Sequence, residues 1–311
     1  MKLLQLIRFK NLLLIALVQI LIKYALFPSL SMFIDGTSVF VSTTLDPFQF
    51  ILLVISTLCI ASGGYIINDI LDVNADSINK PDQLVIGKHI SVNKAYNYYM
   101  IFTVIGVVLG FYLSHAVGQS SFFAIFVIIA ALLYIYATFL QQILLVGNIV
   151  IGLMVGLSLI IVGIFDLLPA VTPQNQYLQS SMFEVLFDYS VFAFIITLIR
   201  EIVKDIQDVD GDYKAQLKTL PIVLGINRAS KIAFVITIIA IGILIYYLAA
   251  FLYMQEIVVV YFLITVIAPL VYVAIKLFTA EKKTEFKNIS KWLKVIMLLG
   301  ILSMVIHLLN K

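Results

Sequence analysis

Nine long apolar runs set the strongest limit on what this chain of 311 residues can fold into. With windows of about 19 residues, we predict membrane-spanning helices at roughly 12–33, 47–67, 95–117, 121–139, 143–165, 184–203, 230–254, 257–278 and 292–309. Each run approaches the roughly 20 residues that a helix needs to cross a bilayer. Because 62% of residues are hydrophobic and only 12% are charged, an ordinary soluble domain is excluded. We predict an all-α integral membrane protein with one domain over residues 1–311.

The basic residues lie on alternate connections between the predicted spans. All of the twenty Lys and Arg except Lys23 and Lys311 lie in the N-terminus, in the loops at 68–94 and 200–229 with their flanks, or between 276 and 294. By the positive-inside rule, the N-terminus and both large loops face the cytoplasm. Nine spans then put the C-terminus on the opposite side of the membrane, which is the cytoplasmic membrane if the protein is bacterial.

Acidic residues gather in the same two loops, and they do so at helical spacing. The first group is Asn68, Asp72 and Asp76, and the second is Glu201, Asp205, Asp208 and Asp212. Residues three or four positions apart share one face of a helix. We therefore expect each group to line one face of a helical continuation, the first of the second span and the second of the sixth.

Carboxylates at this spacing repel one another, so each face favours a bound positive charge. Mg²⁺ prefers a few carboxylate oxygens together with substrate phosphate oxygens, and the two groups contain no Cys or His that would indicate zinc. Basic residues are interspersed with the acids at Lys80, Lys88, Arg200 and Lys204. They would repel a bare metal ion but attract a polyphosphate. The mixture indicates a site for metal and diphosphate together.

Two other interpretations are open at this point. Charge runs often mark only a solvated loop. Acidic loops also suit the entrance of a non-enzymatic transporter of cations or lipids. Ionisable residues within the spans, which transporters use, are nearly absent, since Asp188 lies near the start of the sixth span and Lys23 is the one mid-span base.

The two acidic segments resemble the signatures of the UbiA-type superfamily of intramembrane prenyltransferases. NDxxDxxxD matches residues 68–76, and DxxDxxxD matches residues 205–212. The N-terminal LIRFKN, with Arg8 and Asn11, is similar to the LxRxxN of the family. The resemblance covers nearly the whole chain and implies a bundle of nine helices around a central cavity.

The resemblance also implies the chemistry. Two Mg²⁺ ions would bridge the acidic motifs to an isoprenyl diphosphate, whose tail lies in the apolar cavity, and an acceptor would capture the allylic cation. The implied metal-binding residues are Asn68, Asp72, Asp76, Asp205, Asp208 and Asp212. The expected diphosphate contacts are Lys80, Lys88, Arg200 and Lys204. The expected catalytic residues are Asp72, Asp208 and Lys204.

Further residues have open roles. Asp69 matches the first signature and either binds metal or orients a neighbour or a base. We expect Tyr134, Tyr136 and Asn148 to line the cavity near the cation or the tail, although packing or hydrogen bonding between helices accounts for each equally well. His89 is either a base for an acceptor hydroxyl or simply a solvated loop residue.

The segments YIINDILDVNADSINKP and REIVKDIQDVDGDYKAQLKTLPIVLG most resemble the geranylgeranylglycerol-phosphate geranylgeranyltransferase branch. That branch acts in ether-lipid synthesis and alkylates a glycerol hydroxyl of a lipid phosphate. The chain departs from the motifs of that branch at two places. The segment DQLVIGKHIS lacks the Arg-Pro and Pro-Ser of the motif NKPxRPIPSGxIS. Gln141 stands where the motif YSxxLK has Lys. The alternative is an aromatic prenyltransferase of quinone synthesis, with 4-hydroxybenzoate or a naphthoate as acceptor. We expect no nucleic-acid partner and no obligate protein partner.

Overall fold

The computed structural model describes residues 2–34 and 37–309. Within these residues nine helices are long and apolar enough to cross a membrane, as predicted. We number them spans 1 to 9 in chain order. Their bounds are Phe9–Ser29, Pro47–Leu71, Val92–Ala116, Ser120–Thr138, Val146–Ala170, Gln176–Lys214, Ile226–Leu252, Glu256–Thr279 and Lys283–Leu308. Lys311, the exception to the charge pattern at the C-terminus, lies outside the described residues.

Shorter elements interrupt or connect the spans. Turns of π-helix occur at Ile22–Leu26 in span 1, at Leu248–Leu252 at the end of span 7 and at Leu263–Ile267 in span 8. Short helices lie outside the spans at Lys2–Leu6, Val73–Asn79 and Leu220–Leu224. Single 3-10 turns are found at Pro81–Gln83 and Leu140–Gln142.

Span 6 lies at the centre of the bundle. It packs against spans 5, 7 and 9 and against the short helix Val73–Asn79. Small residues allow the close approach of its neighbours: a Cβ atom at Gly152 of span 5 would lie 2.8 Å from the ring of Phe194. Because lipid tails are as apolar as the side chains, such close packing and hydrogen bonds between helices hold a membrane bundle together.

The end of the bundle away from the acidic faces carries a small hairpin. Strands β1 (Ser31–Ile34) and β2 (Thr37–Phe40) pair antiparallel, with Met32 opposite Val39. The expectation of an all-α chain did not include these two strands. They do not change the fold class, since every predicted span is present as a helix.

The helices that carry the acidic residues extend beyond the apolar runs. Span 2 ends at Leu71, and the short helix Val73–Asn79 follows at once. Across this junction the α-helical backbone bonds continue, from Asp72 N to Asn68 O (2.9 Å) and from Asp76 N to Asp72 O (2.8 Å). Span 6 runs without a break to Lys214. The predicted helical continuations of both spans are therefore present.

Candidate active site

The first acidic face (Asn68, Asp72 and Asp76) centres on the carboxylate of Asp72. Asn68 Nδ2 donates a hydrogen bond of 2.5 Å to Asp72 Oδ2, and Gln141 Nε2 donates one of 3.1 Å to Oδ1. Asn68 Oδ1 is buried and has no partner among the described residues. A buried oxygen without a donor is costly, so this face offers an acceptor that suits a cation.

The second acidic face (Asp205, Asp208 and Asp212) lies on the last turns of span 6. Asp205 Oδ2 accepts a hydrogen bond of 2.8 Å from Asn148 Nδ2 of span 5. Asp208 Oδ2 accepts one of 2.5 Å from Lys80 Nζ. All three carboxylates fall on one side of the helix, since their spacing is three and four residues.

The segment after the first face joins it to the second. Besides the bond from Lys80 to Asp208, Asn79 Nδ2 lies 3.4 Å from Asp212 Oδ1. The backbone N of Gly211 donates a bond of 2.8 Å to Asn79 Oδ1. A Cβ atom at position 211 would lie 2.5 Å from Asn79 Cγ, so only glycine permits this approach. Two signatures more than a hundred residues apart thus form one site.

Burial and mutual repulsion raise the proton affinity of the first face. Burial, together with the charge of Asp76, raises the pKa of Asp72 to about 6. Burial also raises the pKa of Asp76, against the opposing effect of Lys80. Although burial alone would lower it, the carboxylate of Asp208 raises the pKa of Lys80. Carboxylates with raised pKa values gain from a bound cation, which stabilises their charged form.

The donor set fits Mg²⁺. It consists of carboxylate and amide oxygens, which that ion prefers, with no sulfur or imidazole among the six residues. Within residues 2–34 and 37–309, no three His, Cys, Asp or Glu side chains are arranged closely enough to hold an ion as they stand. Three of the carboxylates, those of Asp72, Asp205 and Asp208, accept hydrogen bonds from amide or ammonium groups.

Glu201 is the counter-ion of two basic residues and not a further member of the second acidic face. Lys204 Nζ lies 2.8 Å from each Glu201 carboxylate oxygen, and Arg200 Nη1 lies 3.1 Å from Oε1. The Nε atom of Arg200 is buried and without a partner among the described residues. Both predicted diphosphate-binding bases of span 6 are thus held beside the acidic face by one carboxylate.

Arg8 reaches the site from the N-terminus. Its Nη2 atom lies 2.7 Å from Asp69 Oδ1, and its guanidinium carbon lies 5.0 Å from the centre of the Tyr65 ring. The backbone of Arg8 has φ 51°, at the break between the short helix Lys2–Leu6 and span 1. Asp69 therefore pairs with a base, which supports the second of the two roles open to it. The LxRxxN resemblance was the signal for Arg8.

Three of the predicted residues are not part of this cluster. Lys88 Nζ donates a bond of 2.6 Å to the carbonyl of Pro81 in its own loop, and His89 is exposed in that loop. Tyr134 is 46% exposed and stacks on Tyr99, with ring centres 6.4 Å apart.

Tyr134 and Tyr136 face different sides of span 4. Residues two positions apart on a helix point to nearly opposite sides. Tyr136 lies within electrostatic range of Glu201, Asp72 and Asp205.

Sequence reasoning missed the roles of Asn79 and Gln141. Asn79 follows the first signature in the segment NKP, but its bond to the Gly211 backbone depends on how the helices are placed. Gln141 stands where the related branch has Lys, and the sequence alone indicates only the loss of a charge. In the structure its amide donates to Asp72 and to the Ala137 carbonyl. A neutral donor therefore occupies the place of the missing base.

Comparison with known proteins agrees with this geometry. Residues 25–298 match the UbiA prenyltransferase family. Digeranylgeranylglyceryl phosphate synthase of Methanosphaera stadtmanae is 30% identical over 81% of this chain and 86% of its own length. The enzyme of the same name from Methanobrevibacter smithii is 33% identical over 79% and 82%.

Solved structures share the fold. A structure from work on digeranylgeranylglyceryl phosphate synthase in membranes has a TM-score of 0.64 and 24% identity, and covers 100% of this chain and 98% of that one. A UbiA homologue from Archaeoglobus fulgidus, bound to DMAPP and Mg²⁺, has a TM-score of 0.58 and 16% identity, with 98% and 99% covered. With a family match over most of its length and both acidic signatures in one site, this chain belongs to the UbiA prenyltransferase family.

Proposed function

We propose that this protein transfers a geranylgeranyl group from its diphosphate to geranylgeranylglyceryl phosphate, in a Mg²⁺-dependent step of ether-lipid synthesis. The observation that carries the proposal is the bond of 2.5 Å between Lys80 and Asp208, which joins the two acidic signatures into one site. The acceptor is inferred from the relatives, since those from Methanosphaera and Methanobrevibacter are named for the product of this reaction.

Mg²⁺ is inferred from the donor set of the two acidic faces. The Archaeoglobus homologue bound to DMAPP and Mg²⁺ supports the choice of ion. We propose two ions, one held by each acidic face. When bound, they would neutralise the diphosphate and so stabilise it as a leaving group.

The basic residues of the site complete the binding of the donor. We propose that Lys80 and Lys204 release their carboxylate partners and bind diphosphate oxygens. Both ammonium groups lie within 2.8 Å of a carboxylate oxygen, so the bases stay beside the site before the substrate arrives. Preorganised charge of this kind stabilises the charge that develops in the transition state.

In the reaction, the bond between the allylic carbon and the diphosphate oxygen breaks, and the electron pair leaves with the diphosphate. An ether bond forms between that carbon and the glycerol oxygen of the acceptor, whose proton passes to the surrounding solvent or to the diphosphate. Tyr136 lies beside the acidic residues, and we propose that its ring faces the cationic carbon, because aromatic faces stabilise cations. We propose that Asn148 orients Asp205 through the bond of 2.8 Å between them.

The distribution of basic residues supports one orientation in the membrane. We propose that the N-terminus and the site face the cytoplasm, because the basic residues lie on those connections. Cysteine labelling across sealed vesicles at position 210 and in the hairpin at position 38 tests this. We expect a reagent that cannot cross the membrane to reach position 210 from the cytoplasmic side only.

An acceptor screen tests the activity. The purified chain is incubated with Mg²⁺, geranylgeranyl diphosphate, geranylgeranylglyceryl phosphate, 4-hydroxybenzoate and a dihydroxynaphthoate, and the products are identified by mass spectrometry. We expect one added geranylgeranyl group on the lipid phosphate alone, and none after chelation of Mg²⁺. Product on an aromatic acid alone would contradict the proposed acceptor and favour the quinone branch. Cation flux without diphosphate release would favour a transporter.

A further inference from the structure

The two acidic faces differ in the groups that hold their carboxylates. On the first face, the side-chain donors to Asp72 among the described residues are neutral amides, Asn68 Nδ2 at 2.5 Å and Gln141 Nε2 at 3.1 Å. On the second face, Asp208 Oδ2 lies 2.5 Å from the ammonium group of Lys80. The charge of Asp72 is therefore oriented but not compensated, whereas a base compensates the charge of Asp208.

Lys80 is the one base paired with either acidic face in the part of the chain that the structure describes. The other ion pairs at this end of the bundle, from Arg8, Arg200, Lys204 and Lys283, go to acids outside the two faces. The faces together contain five carboxylates. Five carboxylates with one base attract a cation and repel a diphosphate. Such a site favours a cation as its first ligand.

The turn between spans 4 and 5 fixes the amide of Gln141 against Asp72. Leu145 in this turn has φ 61°, an unfavourable conformation for leucine. Span 5 then packs so closely that a Cβ atom at Gly147 would lie 2.9 Å from Gln141 Cα. Gln141 Nε2 also donates to the Ala137 carbonyl at 2.8 Å, so each of its two N–H groups has an acceptor. Because a carboxylate has about four acceptor sites, two amide donors leave Asp72 able to bind a cation.

Lys80 is placed so that its ammonium group can leave Asp208. It directly follows the helix Val73–Asn79, and its side chain is 42% exposed, while that of Asp208 is 21% exposed. Ion pairs that are exposed to this degree contribute little to stability, because water competes for both partners. A diphosphate carries more negative charge than one carboxylate and offers the ammonium group a stronger partner.

We propose that the two faces bind their ions in a fixed order, which Gln141 and Lys80 determine. Gln141 is a positioning residue that orients Asp72 and leaves it charged, so the first face binds an ion in the absence of the donor. Lys80 compensates Asp208, so the second face binds its ion only when the diphosphate binds the ammonium group of Lys80. This inference rests on the proposed function and adds the order of binding to it.

The number of bound ions tests this order without any prenyl transfer. Mn²⁺ prefers the same oxygen ligands as Mg²⁺, and electron paramagnetic resonance measures its free concentration. The full chain is titrated in nanodiscs of zwitterionic lipid, with and without an unreactive geranylgeranyl diphosphate analogue. Empty nanodiscs with the analogue give the background. For the wild-type protein we expect one tightly bound ion without the analogue and two with it.

Two substitutions should change the binding of the ions in opposite directions. Lys80→Gln removes the positive charge from Asp208, so the second ion should bind without the analogue, about tenfold more tightly than in the wild-type protein. Gln141→Lys places a positive charge beside Asp72, so the first ion should bind about tenfold more weakly without the analogue.

Lys283→Gln and Gln142→Lys are the matched controls. The first breaks the ion pair with Asp210, which lies outside the two faces, and the second adds a charge to the exposed residue next to Gln141. Both should bind Mn²⁺ as the wild-type protein does, and thermal unfolding shows that each variant is folded.

The outcomes separate this inference from the proposed function. Two ions of similar affinity in the wild-type protein without the analogue would overturn the inference and leave the proposed function intact. An unchanged number of ions in Lys80→Gln would do the same, and this variant changes a part-exposed side chain that the fold does not need. If the wild-type protein binds no Mn²⁺ with or without the analogue, the proposed metal-dependent function itself fails.

Discussion

Buried charges occur at both ends of the helix bundle, but their hydrogen bonding differs. Near the hairpin, Lys23 Nζ donates to Asp166 Oδ2 and to the Leu45 carbonyl at 2.7 Å each, and lies over the Phe50 ring. Asp166 Oδ1 accepts from the backbone N of Leu45 at 2.8 Å. Both members of this pair are buried, and their charged groups have hydrogen-bond partners within the protein.

At the other end, the acidic faces and their bases leave Asn68 Oδ1 and Arg200 Nε without partners among the described residues. Asp72 is largely buried there and lies within range of the charge of Asp76, and its pKa is raised to about 6. The difference shows how the bundle uses charge. The pair near the hairpin has its hydrogen-bond partners within the protein, whereas we propose that metal and substrate complete the cluster at the other end.

The largest expected effect is on the rate of prenyl transfer, and it comes from a substitution in the acidic faces. Asp208→Asn removes a proposed metal ligand and the partner of Lys80, so we expect the rate of prenyl transfer to fall by about 10³-fold. Thermal unfolding in detergent should change little. Asp210→Asn is the matched control, since Asp210 is exposed on the same helix and pairs with Lys283. Wild-type turnover in Asp208→Asn would contradict the metal assignment.

A substitution in the pair of Lys23 and Asp166 should instead change stability. Asp166→Asn leaves Lys23 buried without its counter-ion, and we expect the free energy of unfolding to fall by about 3–5 kcal/mol. The thermal unfolding temperature in detergent measures this. The double variant Lys23→Met, Asp166→Leu should recover most of the loss, because it removes both charges. A loss of kcat in a protein of unchanged stability would show that this pair belongs to the chemistry instead.

The titration of Asp72 gives an effect of intermediate size. Its pKa is raised from 3.8 to about 6 in the folded protein, so folding favours the protonated form. Its contribution to stability is present below about pH 4 and is lost as the pH rises to about 6, which costs the metal-free protein about 3 kcal/mol. We expect Mg²⁺ to restore stability at pH 7. Unfolding temperatures of wild type and Asp72→Asn, with EDTA or Mg²⁺, isolate the effect, which the variant should lack.

The smallest expected effect concerns the contact between the acidic faces. Gly211→Ala places a methyl group against Asn79 and forces the helix Val73–Asn79 away from span 6, with a cost of about 1–3 kcal/mol. We expect an increase of about tenfold in the Mg²⁺ concentration needed for half-maximal activity. Gly242→Ala is the control, because a Cβ atom there meets nothing within 4 Å. If the two variants need the same Mg²⁺ concentration for half-maximal activity, the contact between Gly211 and Asn79 does not contribute to Mg²⁺ binding.

The membrane spans and the acidic faces are predictable from the sequence because each depends on local spacing. A long apolar run forms a spanning helix wherever it packs, and the spacing of Asn68, Asp72 and Asp76 persists through the break at Asp72 because the backbone bonds continue. The pairing of Arg8 with Asp69, and of Asn79 with Gly211, depends on how distant helices are rotated against each other. Local spacing carries no information about that.

The surroundings of Lys88 and Tyr134 show the same limit. Lys88 lies in a loop whose turn brings its ammonium group to the Pro81 carbonyl, and composition does not determine such a turn. Tyr134 lies on the side of span 4 that meets Tyr99 of span 3. Because Tyr134 and Tyr136 stand two residues apart, their rings point to different sides of the helix.

The central claim is that the two acidic faces form one site for metal and diphosphate. Calorimetric titration of an unreactive geranylgeranyl diphosphate analogue, with and without Mg²⁺, tests it most directly. We predict binding that requires Mg²⁺ and that is lost in both Asp72→Asn and Asp208→Asn, although the two residues lie on different helices. Binding that is independent of Mg²⁺, or that survives in either variant, would contradict the account.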